Sequence, residues 1–209
     1  DIAGEKLGVL ICEDMWHTAP AQQAQQAGAT QLVCLNASPF AQGKHAVRLA
    51  RARARVAETG LPITYINCVG GQDELVFDGG SFALDTHGDV LWRAGFFETP
   101  VSHFAPLPDP PPAGGGLGRG DIEQCSPIAL TYQALVLAVR DYAQHNGFKG
   151  AVLGMSGGID SALVAAIAAD ALGGHNVHGY SLPSQFTASM SREDAQLQAQ
   201  RMGIHFGEI

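Results

Sequence analysis

The sequence predicts an α/β protein built in two regions, and three observations carry that reading. Short apolar runs alternate with helical stretches in both regions. Several strand-like runs without helices close the first region, and a proline- and glycine-rich stretch divides it from the second.

Residues 7–12 read as a buried strand and residues 19–27 as a helix closed by Gly28. Residues 31–37 form a second strand, and residues 45–58 a longer helix that stops at Gly60. Residues 63–69, 74–77, 81–84 and 90–93 follow as strands, so this region is a layered α/β domain with a mixed sheet. Pro106, Pro108, Pro110, Pro111 and Pro112 then run into Gly114, Gly115, Gly116, Gly118 and Gly120. Proline removes backbone donors and glycine raises the entropy cost of ordering, so residues 106–125 are a linker between 1–105 and 126–209.

The second region opens on a helix that Ser126 caps and Pro127 starts. Ile128, Leu135, Val139 and Tyr142 fall along one side, and Asn146-Gly147 ends it. Residues 151–154 are a short buried strand, and residues 162–172 are a small, apolar helix of the kind pressed between a sheet and other helices. Residues 177–182 form the next strand, stopped by Pro183, and Ser191 with Asp194 reads as the capping box of a last helix. Strand, helix, strand, helix implies a doubly wound parallel sheet. The chain starts at Asp1 and ends within a helix-like pattern, so it is expected to be an internal piece of a longer protein.

Composition excludes several classes of function. Hydrophobic residues make up 46% of the 209, enough for a buried core. The formal net charge of −8 argues against nucleic acid as a partner. No apolar run approaches the ~20 residues that span a bilayer, so no membrane partner is expected. Cys12, Cys34, Cys68 and Cys125 form no CxxC pair, and the eight histidines show no HxH or HExxH spacing. A reducing, cytoplasmic compartment follows.

Two segments carry chemistry. The first is Gly154-Met155-Ser156-Gly157-Gly158-Ile159-Asp160-Ser161, a glycine-rich turn between a buried strand and a helix. Gly157 and Gly158 let backbone N–H groups converge on an anion, and the helix that follows adds its positive dipole end. Ser156 and Ser161 offer hydroxyls, and Asp160 a carboxylate able to hold magnesium against phosphates. The loop lacks the GxxxxGK[ST] pattern, so it is not a Walker A loop, and an ordinary strand-to-helix turn is the alternative. The second segment is Cys12 at a strand end, where a thiol is exposed for attack on an amide. On composition alone, a buried structural cysteine is the better reading.

The glycine loop resembles the pyrophosphatase loop of N-type ATP pyrophosphatases, which include NAD, GMP and asparagine synthetases. Leu182-Pro183-Ser184 and the stretch from Ser189 to Ala195 look like segments of NAD synthetases, while Phe186 stands where that pattern has tyrosine. Gly8-Val9-Leu10-Ile11-Cys12-Glu13-Asp14-Met15-Trp16 resembles the nucleophile segment of nitrilase-type glutaminases. Asn36-Ala37-Ser38-Pro39-Phe40, with Gly43-Lys44, and the stretch from Val69 to Ser81 resemble the glutaminase half of glutamine-dependent NAD synthetases. The resemblance implies a truncated nitrilase-like α-β-β-α sandwich followed by a truncated doubly wound domain of the adenine nucleotide α-hydrolase type.

It further implies Cys12 as nucleophile, with Glu13 and Ser38 at the glutamine; Lys44, just before the long helix, is either a further glutamine contact or a surface charge. Gly154 through Ser161, with Ser181 and Pro183, would meet ATP, and Asp160 would hold Mg2+. The substrates would be glutamine, ATP and deamido-NAD, and the full-length enzyme a homo-oligomer. Other ATP-pyrophosphatase amidotransferases or thiolases, or a non-catalytic nucleotide-binding module, remain alternatives. The family's glutamate base and oxyanion-side lysine precede its cysteine. Glu5 and Lys6 are too close along the strand to replace them, so the glutaminase half is expected to be incomplete and the piece alone inactive.

Three further features are given bland readings. Arg48, Arg51 and Arg55, with Arg53 nearby, are expected to form a solvated or subunit-contact helix face. His17 is expected at the surface or behind the site. Trp16 and Trp92 are expected to pack, Trp16 with the option of walling the glutamine pocket.

Overall fold

The computed structural model describes residues 4–99, 126–182 and 189–209. The expected linker, Cys125, Pro183, Ser184 and Phe186 lie outside the described residues. The chain divides into two compact units, Asp1–Gly70 with Val76–Thr131 and Gly71–Leu75 with Tyr132–Ile209.

The first unit is built on β1 (Leu7–Ile11), α1 (Thr18–Gln26), β2 (Gln31–Asn36), α2 (Lys44–Thr59) and β3 (Ile63–Asn67). Then come β4 (Val69–Gln72), β5 (Leu75–Asp78), β6 (Phe82–Leu84) and β7 (Val90–Arg93). Five strands form one sheet in the order β1-β2-β3-β6-β7, while β4 and β5 pair separately. β1, β2 and β3 run parallel, and β6 and β7 add antiparallel, as the switch from helical crossovers to short connections requires. The mixed sheet is therefore as expected. The strand read over residues 63–69 breaks after Asn67, leaving Cys68 exposed between β3 and β4.

One face of the sheet carries Leu10, Leu32, Cys34, Ile63, Tyr65, Phe82 and Leu84, packed against Ala21 of α1, Ala52 and Val56 of α2, and Met15. The strand period of two sends Val9, Ile11, Leu35 and Ile66 to the opposite face, where they are exposed. An apolar second face of this kind is what a sandwich sets against another sheet.

The second unit holds α3 (Pro127–His145) from Tyr132 onward, β8 (Ala151–Gly154), α4 (Ile159–Leu172), β9 (Val177–Ser181), α5 (Ser189–Met202) and β10 (His205–Glu208). Its three strands are all parallel, in the order β10-β9-β8. Ser126 caps α3 as expected, its Oγ accepting from the Ala129 N–H at 3.1 Å. The buried residues of α3 are Ala134, Leu137 and Ala143, not the larger Ile128, Leu135 and Tyr142, which stay exposed. Apolar spacing marks a stripe, but here the buried line runs through Ala134, Leu137 and Ala143 instead.

Two further expectations at the end of this unit are corrected. α5 begins at Ser189, so Ser191 lies inside its first turn instead of capping it. The helix-like pattern stops at Met202, where Gly203 takes a left-handed φ of +67° and Ile204 is buried, and the chain enters β10. Met155, Ala165, Ala168, Val177, Ala195, Ala199 and Ile204 form this unit's core.

Candidate active sites

The first candidate site lies where β1, β2 and β3 end together. Ile11 is level with Leu35, and Asn36 with Asn67, so Cys12, Ser38 and Cys68 leave the sheet at its carboxyl edge. Open parallel sheets place their reactive groups at that edge. Cys12 has a φ of +48°, a left-handed conformation that a non-glycine residue holds at a cost of about 1–3 kcal/mol. It opens a 3-10 turn, Cys12–Trp16, that reverses the chain and lifts the half-buried thiol out of the strand.

The turn is tied down at several points. The Ile11 N–H donates to Asp14 Oδ2 at 2.8 Å, and Met15 is fully buried in the core. Arg55 donates through a terminal guanidinium nitrogen to the Met15 carbonyl at 3.3 Å, and the Arg51 guanidinium lies 5.5 Å from the Trp16 ring centre. The elbow read from the sequence is present, and Trp16 packs as expected.

Ser38 is buried and held on all its polar atoms. Its N–H donates to Asn67 Oδ1 at 2.8 Å, and its carbonyl accepts from Arg48 at 2.8 Å and from Asn67 at 3.2 Å. Its hydroxyl accepts from Arg48 Nε at 3.2 Å. Arg48 also grips both Asp78 oxygens, at 2.8 and 2.9 Å, and the Pro39 carbonyl at 3.0 Å. Burial pushes the Asp78 carboxyl above the usual carboxylate range, and Arg48 and Lys44 pull against that rise. Lys44 starts α2 and is half-buried.

The remaining implied groups are less enclosed or lie elsewhere. Glu13 is exposed, its carboxylate 3.9 Å from exposed His17. Glu5 accepts from the Thr30 hydroxyl, and the Lys6 ammonium donates to the Ala27 carbonyl. Both therefore sit at the amino end of β1, about 20–23 Å of extended chain from Cys12 at ~3.3 Å per residue. As expected, neither can serve the thiol.

The solvated helix face is overturned. Arg48 is fully buried and Arg55 only 4% exposed. Only Arg51 and Arg53 reach solvent, Arg53 Nε donating to the Gly88 carbonyl at 3.0 Å. The i, i+3, i+7 spacing was visible in the sequence. So was Glu58, which pairs with Arg55 at 2.6 Å, but the distant partners Asp78, Ser38 and Met15 were not.

The thiols differ in environment. Burial pushes Cys34 up to about 11, against the lowering effect of its hydrogen bond with Asn36. At pH 8 roughly one Cys34 side chain in a thousand is then thiolate. Iodoacetamide followed by peptide mapping of the native protein is expected to modify Cys12 and Cys68 well before Cys34. Equal labelling of Cys34 would mean that β2 is not closed as described.

The second candidate site is the loop between β8 and α4. Gly157 takes a φ of +80°, and Gly158 is the N-cap of α4. The Ser156 N–H donates to Ser161 Oγ at 3.2 Å, the Gly158 N–H donates to Ser156 Oγ at 3.2 Å, and Ser161 Oγ donates to the Gly158 carbonyl at 2.9 Å. The hydroxyls thus close a small ring at the start of α4, whose dipole favours an anion.

Ile159 and Asp160 are exposed in the first turn of α4. Met155 is buried in the core, and its N–H donates to the Tyr180 carbonyl at 2.8 Å, so it anchors the loop from below. Ser181 is buried at the end of β9. Among the described residues no three His, Cys, Asp or Glu side chains cluster as a metal site.

Comparison with known proteins matches both halves. A family model described as carbon-nitrogen hydrolase matches residues 1–103, and one described as NAD synthase matches residues 131–209. The glutamine-dependent NAD(+) synthetase of Rhodobacter capsulatus is 46% identical over 216 residues, covering 97% of this chain and 37% of the relative. The chain belongs to the family that joins these two domains. The corresponding enzyme of Acinetobacter baylyi is 40% identical, covering 98% of this chain and 37% of its own length.

Among solved structures, the Acinetobacter baumannii glutamine-dependent NAD+ synthetase in complex with ADP superposes with a TM-score of 0.83 at 37% identity. That match covers 100% of this chain and 39% of the other. The chain therefore spans under two fifths of the length of these relatives. A Cytophaga hutchinsonii glutamine-dependent NAD(+) synthetase, at 18% identity and a TM-score of 0.77, shares the fold. These family members carry a carbon-nitrogen hydrolase sandwich followed by an α/β synthase domain, the fold class expected from the sequence.

Proposed function

We propose that this chain carries parts of both active centres of a glutamine-dependent NAD synthetase, residues 1–105 from the glutaminase and 126–209 from the synthetase. The observation that carries the reading is the strained Cys12 elbow at the carboxyl edge of β1, in the same chain as the phosphate-type loop after β8. The family resemblance and the shared carbon-nitrogen hydrolase match speak against amidotransferases that use other kinds of glutaminase.

In this reading the Cys12 thiolate attacks the side-chain amide carbon of glutamine. The C–N bond breaks, ammonia leaves with a proton, and a thioester remains. Water then cleaves the thioester to glutamate and restores the thiol. In the second centre a carboxylate oxygen of deamido-NAD attacks the α-phosphorus of ATP, and pyrophosphate leaves. Ammonia attacks the acyl adenylate, expelling AMP and forming the amide of NAD.

The Gly157 N–H and the α4 dipole offer the loop's free positive field to the pyrophosphate, while the Ser156, Gly158 and Ser161 donors would have to exchange their partners within the loop for phosphate oxygens. A lone exposed carboxylate at Asp160 fits a Mg2+ ion that takes most of its oxygens from phosphate and water. Such an ion would neutralise charge on the departing pyrophosphate. A reducing cytoplasmic compartment suits a free Cys12 thiol.

Product analysis tests the scheme. The complete enzyme, given glutamine, deamido-NAD and magnesium ATP, is expected to release NAD, AMP, pyrophosphate and glutamate in equal amounts. Release of ADP and orthophosphate would sink the pyrophosphatase-loop reading.

A further inference from the structure

Helix α2 sets three arginines on one face, at positions 48, 51 and 55, and turns two of them inward. Burying a guanidinium is unfavourable unless its fan of donors is met, and an apolar side chain would fill the same space without that cost. The partners of these two buried arginines are not scattered. Arg55 pairs with Glu58 on its own helix at 2.6 Å and sends its other terminal nitrogen to the carbonyl of Met15, inside the Cys12–Trp16 turn, at 3.3 Å, while its buried Nε has no partner. Arg48 donates to the carbonyls of Ser38 and Pro39 and to the Ser38 hydroxyl, with Asp78 closing the cluster from β5. One rigid helix therefore grips the turn after β1 and the loop after β2, seven residues, about 10 Å, apart along its axis.

We propose that Arg55 and Arg48 are positioning residues of the glutamine-hydrolysing site, Arg55 for the Cys12 turn and Arg48 for the Ser38 loop. The proposal rests on the glutaminase reading of Cys12. Neither side chain touches the substrate in this scheme. Cys12 is held at a left-handed φ, and a turn under strain relaxes when an anchoring hydrogen bond is lost. Loss of the Arg55 contact moves the thiol and so acts on the chemical step. Loss of the Arg48 contacts loosens the loop that the family resemblance sets against glutamine, and so acts on binding.

The test uses the complete enzyme carrying Arg55→Met, Arg55→Lys, Arg48→Met or Arg48→Lys, with steady-state kinetics in glutamine. Ammonium-dependent NAD formation reports the synthetase in each variant. Misplacement of a nucleophile by about 1 Å costs up to about 100-fold, so R55M is expected to lower kcat for glutamine by about tenfold to 100-fold at little-changed KM. R48M is expected to raise KM for glutamine about tenfold with the smaller change in kcat. R55K and R48K recover part of the affected parameter, because an ammonium can donate to the same carbonyl but cannot reproduce the fork.

Where a methionine variant does not fold, its lysine counterpart decides: a partial loss in the assigned parameter supports the proposal, and wild-type kinetics overturn it. Parallel changes in kcat and KM in both sets of variants also overturn it, since a general loosening of the domain acts that way. Cys12→Ala separates the two levels. Retained glutamine use in C12A removes the glutaminase reading itself. Abolished glutamine use in C12A beside wild-type kinetics in R55M and R48M removes only the arginines' role.

Discussion

Replacing Cys12 with alanine in the complete enzyme is expected to abolish NAD formation from glutamine and to leave NAD formation from ammonium intact. The nucleophile forms and breaks the covalent bond, so its loss acts on every turnover, on a scale of about 10⁴-fold or more in acyl-transfer enzymes. Alanine is the right substitution because the φ of +48° at this position is strained for any residue with a Cβ. The elbow therefore keeps its geometry and its anchors at Asp14, Met15 and Arg55 while losing only sulfur. In the proposed scheme ammonium bypasses the thiol and enters at the acyl adenylate. Coupled assays for NAD with each nitrogen donor give the answer. Undiminished glutamine use would take Cys12 out of the chemistry, and failure with both donors in a folded protein would break the separation of the two centres.

Much of this could be read from residue order, and what could not has a common physical cause. The parallel strands announce themselves through short apolar runs such as residues 31–37, and the helix ends through Gly60 and Asn146-Gly147, because these signals are local. The glycine loop is equally local: every group in the ring formed by Ser156, Gly158 and Ser161 lies within five residues. The elbow is legible for the same reason, since β1 ends where Cys12 begins.

Apart from the i, i+3 pair of Arg55 with Glu58, the contacts of the buried arginines are not local. Arg48 finds Asp78 thirty residues away, and Arg55 finds Met15 forty residues away. An i, i+3, i+7 row of charges looks identical whether water or carboxylate answers it. β10 was hidden differently. Its pairing to β9 joins His205 to His178 and Phe206 to Gly179, and four residues are too few to show a period. On α3, the apolar stripe named Ile128, Leu135 and Tyr142, while the buried residues are Ala134, Leu137 and Ala143.

Gly157→Ala is the counterpart of the thiol deletion, and its expected effect falls on the other centre. A Cβ built on Gly157 would lie 2.1 Å from the Ser191 carbonyl oxygen, in the first turn of α5. That atom is backbone and cannot swing away, so either the loop or α5 must shift. The left-handed φ of +80° adds a conformational penalty of about 1–2 kcal/mol for alanine. Overpacking of this kind adds about 1–3 kcal/mol, enough to displace the loop without unfolding a well-packed unit.

If, as proposed, the loop holds N–H groups on the leaving pyrophosphate, a shift of about 1 Å is expected to cost 100-fold or more in pyrophosphate release. The loss should appear with glutamine and with ammonium alike, since both nitrogen sources meet the same acyl adenylate. Glutamate release from glutamine, followed without deamido-NAD, should persist in this variant and vanish in C12A. Wild-type pyrophosphate release by G157A would mean that the loop between β8 and α4 does not hold the phosphates. In the proposed scheme the two substitutions therefore divide the overall reaction at ammonia, which leaves one centre and enters the other.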